Sequence, residues 1–474
     1  MMLTTDLAGI DTTTPAVVLK FDPNVMHHGG MGAIRSLGRL GVPVYGVHEE
    51  RWAPAANSRY LRGRAFWQPN PEDAERTRAG LMRLAALIGR PAVLIPTDDA
   101  GAIFLAEHGG PLRESFLFPA PPPGLPRQLA GKYSLYQLCQ QLGVAAPLTA
   151  LVDSPAQARE FAALAGYPLI AKLTTPWRAA GSGPRSALRS TSIIASQSGL
   201  DAIVAACERG GAGLMLQEHV PGGPASDWFF HGYCDAGSVS QAAFTGVKER
   251  SYPAHAGLTS MGRAARNDEL RGDVTALMAR LSYRGIADLD LRQDARTGEY
   301  KLLDVNPRLG AQFRLFRDQA GVDVVLAAYL DLTGQPVTAG EQAEGRRFLV
   351  ENYDPLGALA YWRHGELRPR AWLDSVRAAD ELAWFARDDL RPFGLMCARM
   401  AWRAVSRRFA RPASTAVDHA GEPSFRPGRA AGRGPAVAGR PQPARQGRTT
   451  GRRSAPGPRG PQGRLADSHH GGKR

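Results

Sequence analysis

Long apolar runs are missing from this 474-residue chain. No stretch reaches the eighteen or so residues that a membrane-spanning helix needs. The opening Met1-Met2-Leu3-Thr4-Thr5-Asp6 lacks the basic segment and apolar core of a secretion signal, so a cytoplasmic protein is expected. Cysteine is scarce. Cys139, Cys207, Cys234 and Cys397 include no Cys-x-x-Cys pair, which argues against a zinc ribbon or a disulfide framework and for buried, reduced thiols. No Ser-His-Asp or Cys-His signature of a protein nucleophile is present, and no internal repeat.

Acidic residues are outnumbered, 44 against 58 Lys and Arg, giving a net charge of +14. Such an excess suggests nucleic acid until it is located. From Arg411 onward there are 13 Lys or Arg and 3 Asp or Glu, a balance of +10, which leaves +14 − 10 = +4 for the rest. That tail, from about residue 412, is rich in Pro, Gly and Arg and poor in aliphatic side chains. It cannot bury enough apolar surface to offset chain entropy and is expected to be disordered. Phe425 is its one aromatic residue, so base stacking has little to work with and no specific nucleic-acid partner is expected.

With 43% apolar residues, the chain is long enough for two to four domains. Ala16-Val-Val-Leu-Lys-Phe21, a glycine turn at Gly29-Gly30-Met31-Gly32, Ile34, Leu37 and Leu40 at helical spacing, and a strand over Gly41–Val47 make a βαβ unit with a parallel sheet. The glycine turn, with Glu49 beyond it, partly resembles a dinucleotide fingerprint; its amides at a helix start equally suit a carboxylate or phosphate. Ala92–Pro96 is a further strand, with Thr97-Asp98-Asp99 capping the next helix. Pro119–Pro126 closes the first domain, since neither helix nor central strand is expected to run through it. Lys132 then precedes a helix carrying Leu135, Leu138 and Leu142. A helix over Pro155–Ala165, a strand ending at Lys172, a polar segment with Gly181-Ser-Gly183, and a strand over Leu214–Val220 follow.

The densest chemistry lies in Gly285-Ile-Ala-Asp-Leu-Asp290-Leu-Arg and Tyr300-Lys-Leu-Leu-Asp304-Val-Asn306-Pro-Arg308. Leu289 and Leu291 alternate with Asp288, Asp290 and Arg292; Leu303 and Val305 alternate with Leu302, Asp304 and Asn306. Two strands are therefore expected. A connection through Arg296-Thr297-Gly298 with Gly298 left-handed sets Asp290 opposite Asp304, about 5 Å apart at Cβ. Asn306 adds an amide oxygen on the same face, an oxygen-only set suited to Mg²⁺ shared with phosphates. Arg308 supplies a planar fork for phosphate or carboxylate. A hairpin with a solvated acidic face is the simpler alternative.

The order Lys132, Lys172, Gln217-Glu218-His219-Val220, then the acidic hairpin resembles the ATP-grasp superfamily from about residue 16 to 335. The nearest likeness is to the carboxylate-amine ligases related to the carbamoyl-phosphate synthase large subunit and D-aspartate ligase. The resemblance implies an α/β and α+β architecture: a Rossmann-like domain over 1–125, a lid subdomain with its linking helix over 126–222, a core with the metal site over 223–340, an accessory segment over 341–411 and the basic tail over 412–474. It implies ATP with Mg²⁺, or Mn²⁺ in its place, as cofactors. Lys132 and Lys172 would meet the phosphates, Gln217, Glu218 and Val220 the adenine, and Asp227 the ribose. Asp290, Asp304 and Asn306 would hold the metal, with Arg308 on the transferred phosphoryl group. Thr174–Ser190 would form the lid. Lys248, within Thr245-Gly-Val-Lys248-Glu-Arg250-Ser-Tyr-Pro253, would face the substrate carboxylate, the alternative being a basic strand edge.

The implied reaction is amide formation between a small carboxylate and an amine through an acyl phosphate, releasing ADP and phosphate, in a protein that could be a homo-oligomer. Two rival readings are a dinucleotide-dependent oxidoreductase using the glycine turn and a non-catalytic nucleotide- or RNA-binding protein using the tail. Residues 341–410 hold Trp362, Trp372, Trp384 and Trp402 and are expected to pack on the core. Phe393, Cys397, Met400 and Val405 mark the apolar face of a final helix, which is either packed or laid on a membrane surface.

Overall fold

The computed structural model describes residues 9–173, 191–210, 213–223, 225–255, 257–338, 340–409 and 424–427. The first strand, β1 (Ala16–Leu19), is buried at every position, as suits a central strand of a parallel sheet covered on both faces. It is followed by α1 (Gly29–Arg39), β2 (Val44–His48), β3 (Leu61–Phe66), α2 (Ala74–Ile88), β4 (Ala92–Pro96), α3 (Asp99–His108) and β5 (Phe116–Leu117). The strands lie in the order β3-β2-β1-β4-β5, all parallel. The chain leaves β1 for β2 on one side, and β4, reached from β3 through α2, lies on the other, so the loops after β1 and β4 flank a crevice of the kind where α/β sheets bind ligands.

The glycines in the first turn of α1 serve close packing. A Cβ on Gly32 would lie 2.6 Å from the Phe313 ring, and one on Gly29 would lie 3.1 Å from the Ala311 backbone. Glu49 is paired with Lys20 at 2.7 Å. Both features of the dinucleotide reading thus have structural work.

The proline-rich stretch does not exclude a helix. Pro126 sits in the first turn of α4 (Leu125–Ala130), where its missing N–H is no loss. After α5 (Lys132–Leu142) comes a small subdomain of β6 (Thr149–Val152), α6 (Pro155–Ala165), β7 (Leu169–Leu173), β8 (Thr191–Ile194), α7 (Gln197–Gly210) and β9 (Leu214–Glu218). Its antiparallel sheet runs β6-β9-β7-β8, and Phe161, Leu200 and Val204 of the two helices pack on Leu169, Ala171 and Leu216.

The largest sheet is built from β10 (Asp227–Cys234), β11 (Ser240–Tyr252), β12 (Leu258–Ala264), β13 (Gly285–Gln293) and β14 (Tyr300–Asn306), with α8 (Asp268–Arg280) and α9 (Val324–Leu332) against it. Leu129, Leu135 and Leu138 join Leu289, Leu302 and Val305 in one apolar cluster, fixing α5 and its first residue, Lys132, beside the hairpin.

The segment after residue 340 contributes strands as well as cover. Beyond β15 (Arg347–Leu349) lie α10 (Asp354–Arg363), α11 (Pro369–Arg377), β16 (Glu381–Leu382) and α12 (Leu390–Phe409), and the sheet order is β14-β13-β10-β11-β12-β15-β16. Trp384 is fully buried and Trp372 bonds Asp354 at 2.8 Å, but Trp362 and Trp402 are exposed. The buried face of α12 is Met396 with Phe393 and Met400; Cys397 and Val405 are exposed, so the expected stripe is offset. Cys139, Cys207 and Cys234 are buried free thiols. Within the expected disordered tail only β17 (Ser424–Pro427), antiparallel to β3, is described; the rest lies outside the described residues. Among the described residues no helix is long and apolar enough to cross a membrane.

Candidate active site

The hairpin holds two carboxylates face to face. Asp290 pairs with Asp304 and Asp288 with Asn306 across β13 and β14, and Gly298 is left-handed at φ +78°. A bulge falls between these pairs and Leu291↔Leu302, leaving Leu303 as the extra residue. The core-facing residues of β14 are therefore Leu302 and Val305, and strict alternation through Leu303 fails. The turn is fastened from within: Gly298 donates its N–H to the Asp294 carbonyl at 2.7 Å, and Lys301 reaches the buried Asp294 carboxylate at 3.1 Å.

Cations converge on these acids from separate elements. Lys132, at the start of α5, forms an ion pair with Asp304. Lys248 of β11 stands 3.9 Å from Asp290 and 5.6 Å from the Phe229 ring centre. Arg308 bridges Asp288 at 3.0 Å and Asp99 at 3.2 Å, joining the hairpin to the start of α3 and hence to the crevice of the first sheet. Lys172 of β7 is pushed down to about 8, by burial first and then by Lys132, while Asp304 and Asp290 oppose the shift. Asp290 is pushed up to about 6, by burial first and by Asp288 and Asp304, against the pull of Lys248 and Lys132. It still keeps 30% of its side-chain surface open, enough for a ligand to reach it. Asp99 is likewise raised by burial. Burial also works to raise Asp288, but His231 at 3.0 Å and Arg308 outweigh it and hold it below the ordinary carboxylate range. Oδ1 of Asp304 is buried with no hydrogen-bond partner, an acceptor that can take a cation.

Gln217, Glu218 and Val220, the residues expected to meet adenine, lie where β9 leaves the small sheet. Gln217 donates from Nε2 to Thr149 Oγ1 at 3.1 Å, and Val220 is buried. The Glu218 side chain is committed to Arg296, to Lys301 at 3.1 Å and to the Leu148 N–H at 3.1 Å. Asp227, the first residue of β10, is paired with Arg292 on β13 at 2.7 Å.

The basic segment on β11 divides. A register shift lies between Lys248 and Arg250. Lys248 faces the acids, whereas Arg250 is buried against Asp354 at 2.7 and 3.0 Å. β11 lies between β10 and β12, so the alternative of a basic strand edge does not hold. Thr174–Ser190, expected as the lid, lies outside the described residues. Sequence reasoning passed over His231, Asp99 and Lys301 as functional neighbours. It read Asp288 as a strand residue without seeing its tie to Arg308. Asp288 alone carried a signal, being spaced by two from Asp290 on the same face.

A parallel sheet, a small antiparallel sheet carrying Lys172 and a large, mostly antiparallel sheet carrying Lys248, Asp290 and Asp304 define the architecture. This is the ATP-grasp fold. The chain resembles N5-carboxyaminoimidazole synthetase from Staphylococcus aureus in complex with ADP: TM-score 0.52, 11% identity, covering 71% of this chain and 82% of that one. A second structure of the Staphylococcus aureus synthetase gives TM-score 0.51 at 10% identity, covering 71% and 81%. In sequence, D-aspartate ligase of Enterococcus faecium (strain Aus0004) is 24% identical over 230 residues, covering 46% of this chain and 53% of that protein. The chain thus spans about half the length of the curated relative it matches. No family model matches it.

Proposed function

We propose that this ATP-grasp protein is an ATP-dependent carboxylate-amine ligase, forming a C–N bond through an acyl phosphate and releasing ADP and phosphate. The observation that carries the reading is the convergence of Lys132, Lys172, Lys248 and Arg308 on Asp288, Asp290 and Asp304. The ligase activities printed for the similar proteins agree with it.

Mg²⁺ suits the donors present. Asp290, Asp304 and Asn306 offer oxygen alone, and the unpartnered Oδ1 of Asp304 is an open acceptor. These three residues would hold the ion, which when bound neutralises phosphate charge; Mn²⁺ would substitute. The nucleotide would lie between the two sheets, its adenine against the backbone of Gln217, Glu218 and Val220, since the Glu218 carboxylate is already engaged. Asp227 would meet the ribose by releasing Arg292. Lys132 would turn from Asp304 to the phosphates beside Lys172. The difficulty of the reaction is bringing an anionic carboxylate to an anionic γ-phosphoryl group, and preorganised cations lower that repulsion. Arg308 would orient the transferred group, its fork held by Asp288 and Asp99. Lys248 would steer the substrate carboxylate. An amine then attacks the acyl carbonyl and phosphate leaves. Substrates would be small molecules.

The test is ADP release across pairs of small carboxylates and amines with Mg·ATP, with Asp304→Ala as control. Release that depends on both substrates and disappears in the variant supports the reading; release unchanged in Asp304→Ala refutes it.

A further inference from the structure

Away from the nucleotide cleft, His255, His364 and Glu366 bring two imidazoles and a carboxylate together at the surface, with one ligand atom from each all within 4.8 Å of one another. We propose that these three residues form a binding site for a divalent transition metal of the Zn²⁺ type, which fastens the loop between β11 and β12 to the end of α10.

The donor set selects the metal class. Two imidazoles disfavour Mg²⁺ and Ca²⁺, which prefer oxygen, and with one carboxylate they match three-ligand zinc sites that keep a fourth position for water. Tetrahedral bonds of about 2.0–2.1 Å put ligand atoms about 3.3 Å apart. His255 Nε2 and Glu366 Oε1 already stand 3.2 Å apart. No separation exceeds 4.8 Å, so closing to that value asks for a movement of no more than about 1.5 Å, within reach of a side-chain torsion at an exposed residue.

The backbone under each ligand is fixed. His364 caps the C-terminal end of α10, where the helix dipole favours positive charge. Gly365 is left-handed at φ +77°, its N–H and that of Glu366 returning to the carbonyls of Trp362 and Tyr361 at 2.9 Å each. That turn brings Glu366 back beside His364. On the other side, His255 adopts φ +66°, a conformation few residues other than glycine take. Its N–H is held by the Tyr361 hydroxyl at 3.2 Å, and the Tyr361 ring packs edge-on at 4.9 Å. The His255 and His364 rings lie nearly parallel, 5.9 Å apart. Tyr361 thus sets the spacing between the loop and the helix end.

The experiment is Zn²⁺ binding to the full chain by calorimetry and by metal analysis after dialysis, in excess Mg²⁺ so that the acids of the nucleotide site are occupied. One equivalent is expected at micromolar Zn²⁺, with a rise in thermal midpoint. His364→Ala and His255→Ala should each weaken that equivalent at least tenfold and abolish the rise; Glu366→Gln should weaken it less. Replacing His469 and His470 of the tail should leave it intact. Zn²⁺ binding unchanged in His364→Ala and Glu366→Gln would overturn the proposal, as would no binding to the wild type at these concentrations.

Discussion

Replacing Asp290 with Asn should make the nucleotide-free protein more stable while destroying its proposed activity. Asp290 is raised from an ordinary 3.8 to about 6, so ionising it in the folded chain costs more than in the unfolded one. A shift of about 2 units corresponds to about 3 kcal/mol at 1.36 kcal/mol each. Opening to solvent at the cleft reduces this, and a gain of roughly 1–3 kcal/mol is expected. The sign sets the pH window. The penalty is absent below the unfolded value, grows between about pH 4 and 6, and is complete above 6. Thermal midpoints without nucleotide or metal should therefore show Asp290→Asn above wild type by several degrees at pH 8, by about half as much at pH 5, and by nothing near pH 3.5. ADP release at pH 8 should fall at least about 100-fold, since a ligand for the neutralising cation is lost. A variant less stable than wild type at pH 8, or a gain independent of pH, would refute this account of the burial.

The same cluster fixes the pH profile of kcat/KM for ATP: Asp290 must be ionised and Lys172 charged, so a bell with limbs near 6 and 8 is expected, and Lys172→Met should remove the alkaline limb along with most of the affinity. Asp389→Ala strips the buried Arg35 of its partner at 3.1 Å and Ser58 of its acceptor at 2.7 Å; a loss of about 3–5 kcal/mol is expected by denaturant unfolding. Gly32→Ala should cost about 1–3 kcal/mol through the contact with Phe313, and the protein should gain no thermal stability from NAD or NADP.

The hairpin was legible because its determinants are local: the period-2 pattern, the left-handed Gly298 and the paired acids are set by neighbours in sequence, and Asp290 does pair with Asp304. The first sheet was legible for the same reason, its apolar runs being flanked by turn residues. What sequence could not supply were contacts between distant elements. Asp99 was read as a cap because nothing in its neighbourhood announces Arg308, more than two hundred residues away. Arg250 stands two residues from Lys248, a spacing that regular alternation would place on one face, and the irregular register between β11 and β12 falls between them. The glycines in the first turn of α1 carried a misleading local signal, since their reason lies in Ala311 and Phe313, far away in sequence.

The charge balance of the cluster explains how so many ionised groups share one cleft. Asp99, Asp288, Asp290 and Asp304 oppose Lys132, Lys172, Lys248 and Arg308, four against four, and each carboxylate has at least one cation acting on it. A buried charge without a partner costs several kcal/mol, so these charges are held in pairs that the proposed nucleotide would have to rearrange. An incoming polyphosphate alone would add negative charge to a neutral site; brought in with a divalent cation, it exchanges partners nearly one for one, with Asp304 passing from Lys132 to the metal and Lys132 passing to phosphate. Nucleotide affinity should therefore depend steeply on Mg²⁺ in the wild type and weakly in Asp304→Asn, where Lys132 is already released. Calorimetric titration of ADP with and without Mg²⁺ measures this directly. Equal Mg²⁺ dependence in the two proteins would show that the lysine and the metal do not compete for Asp304.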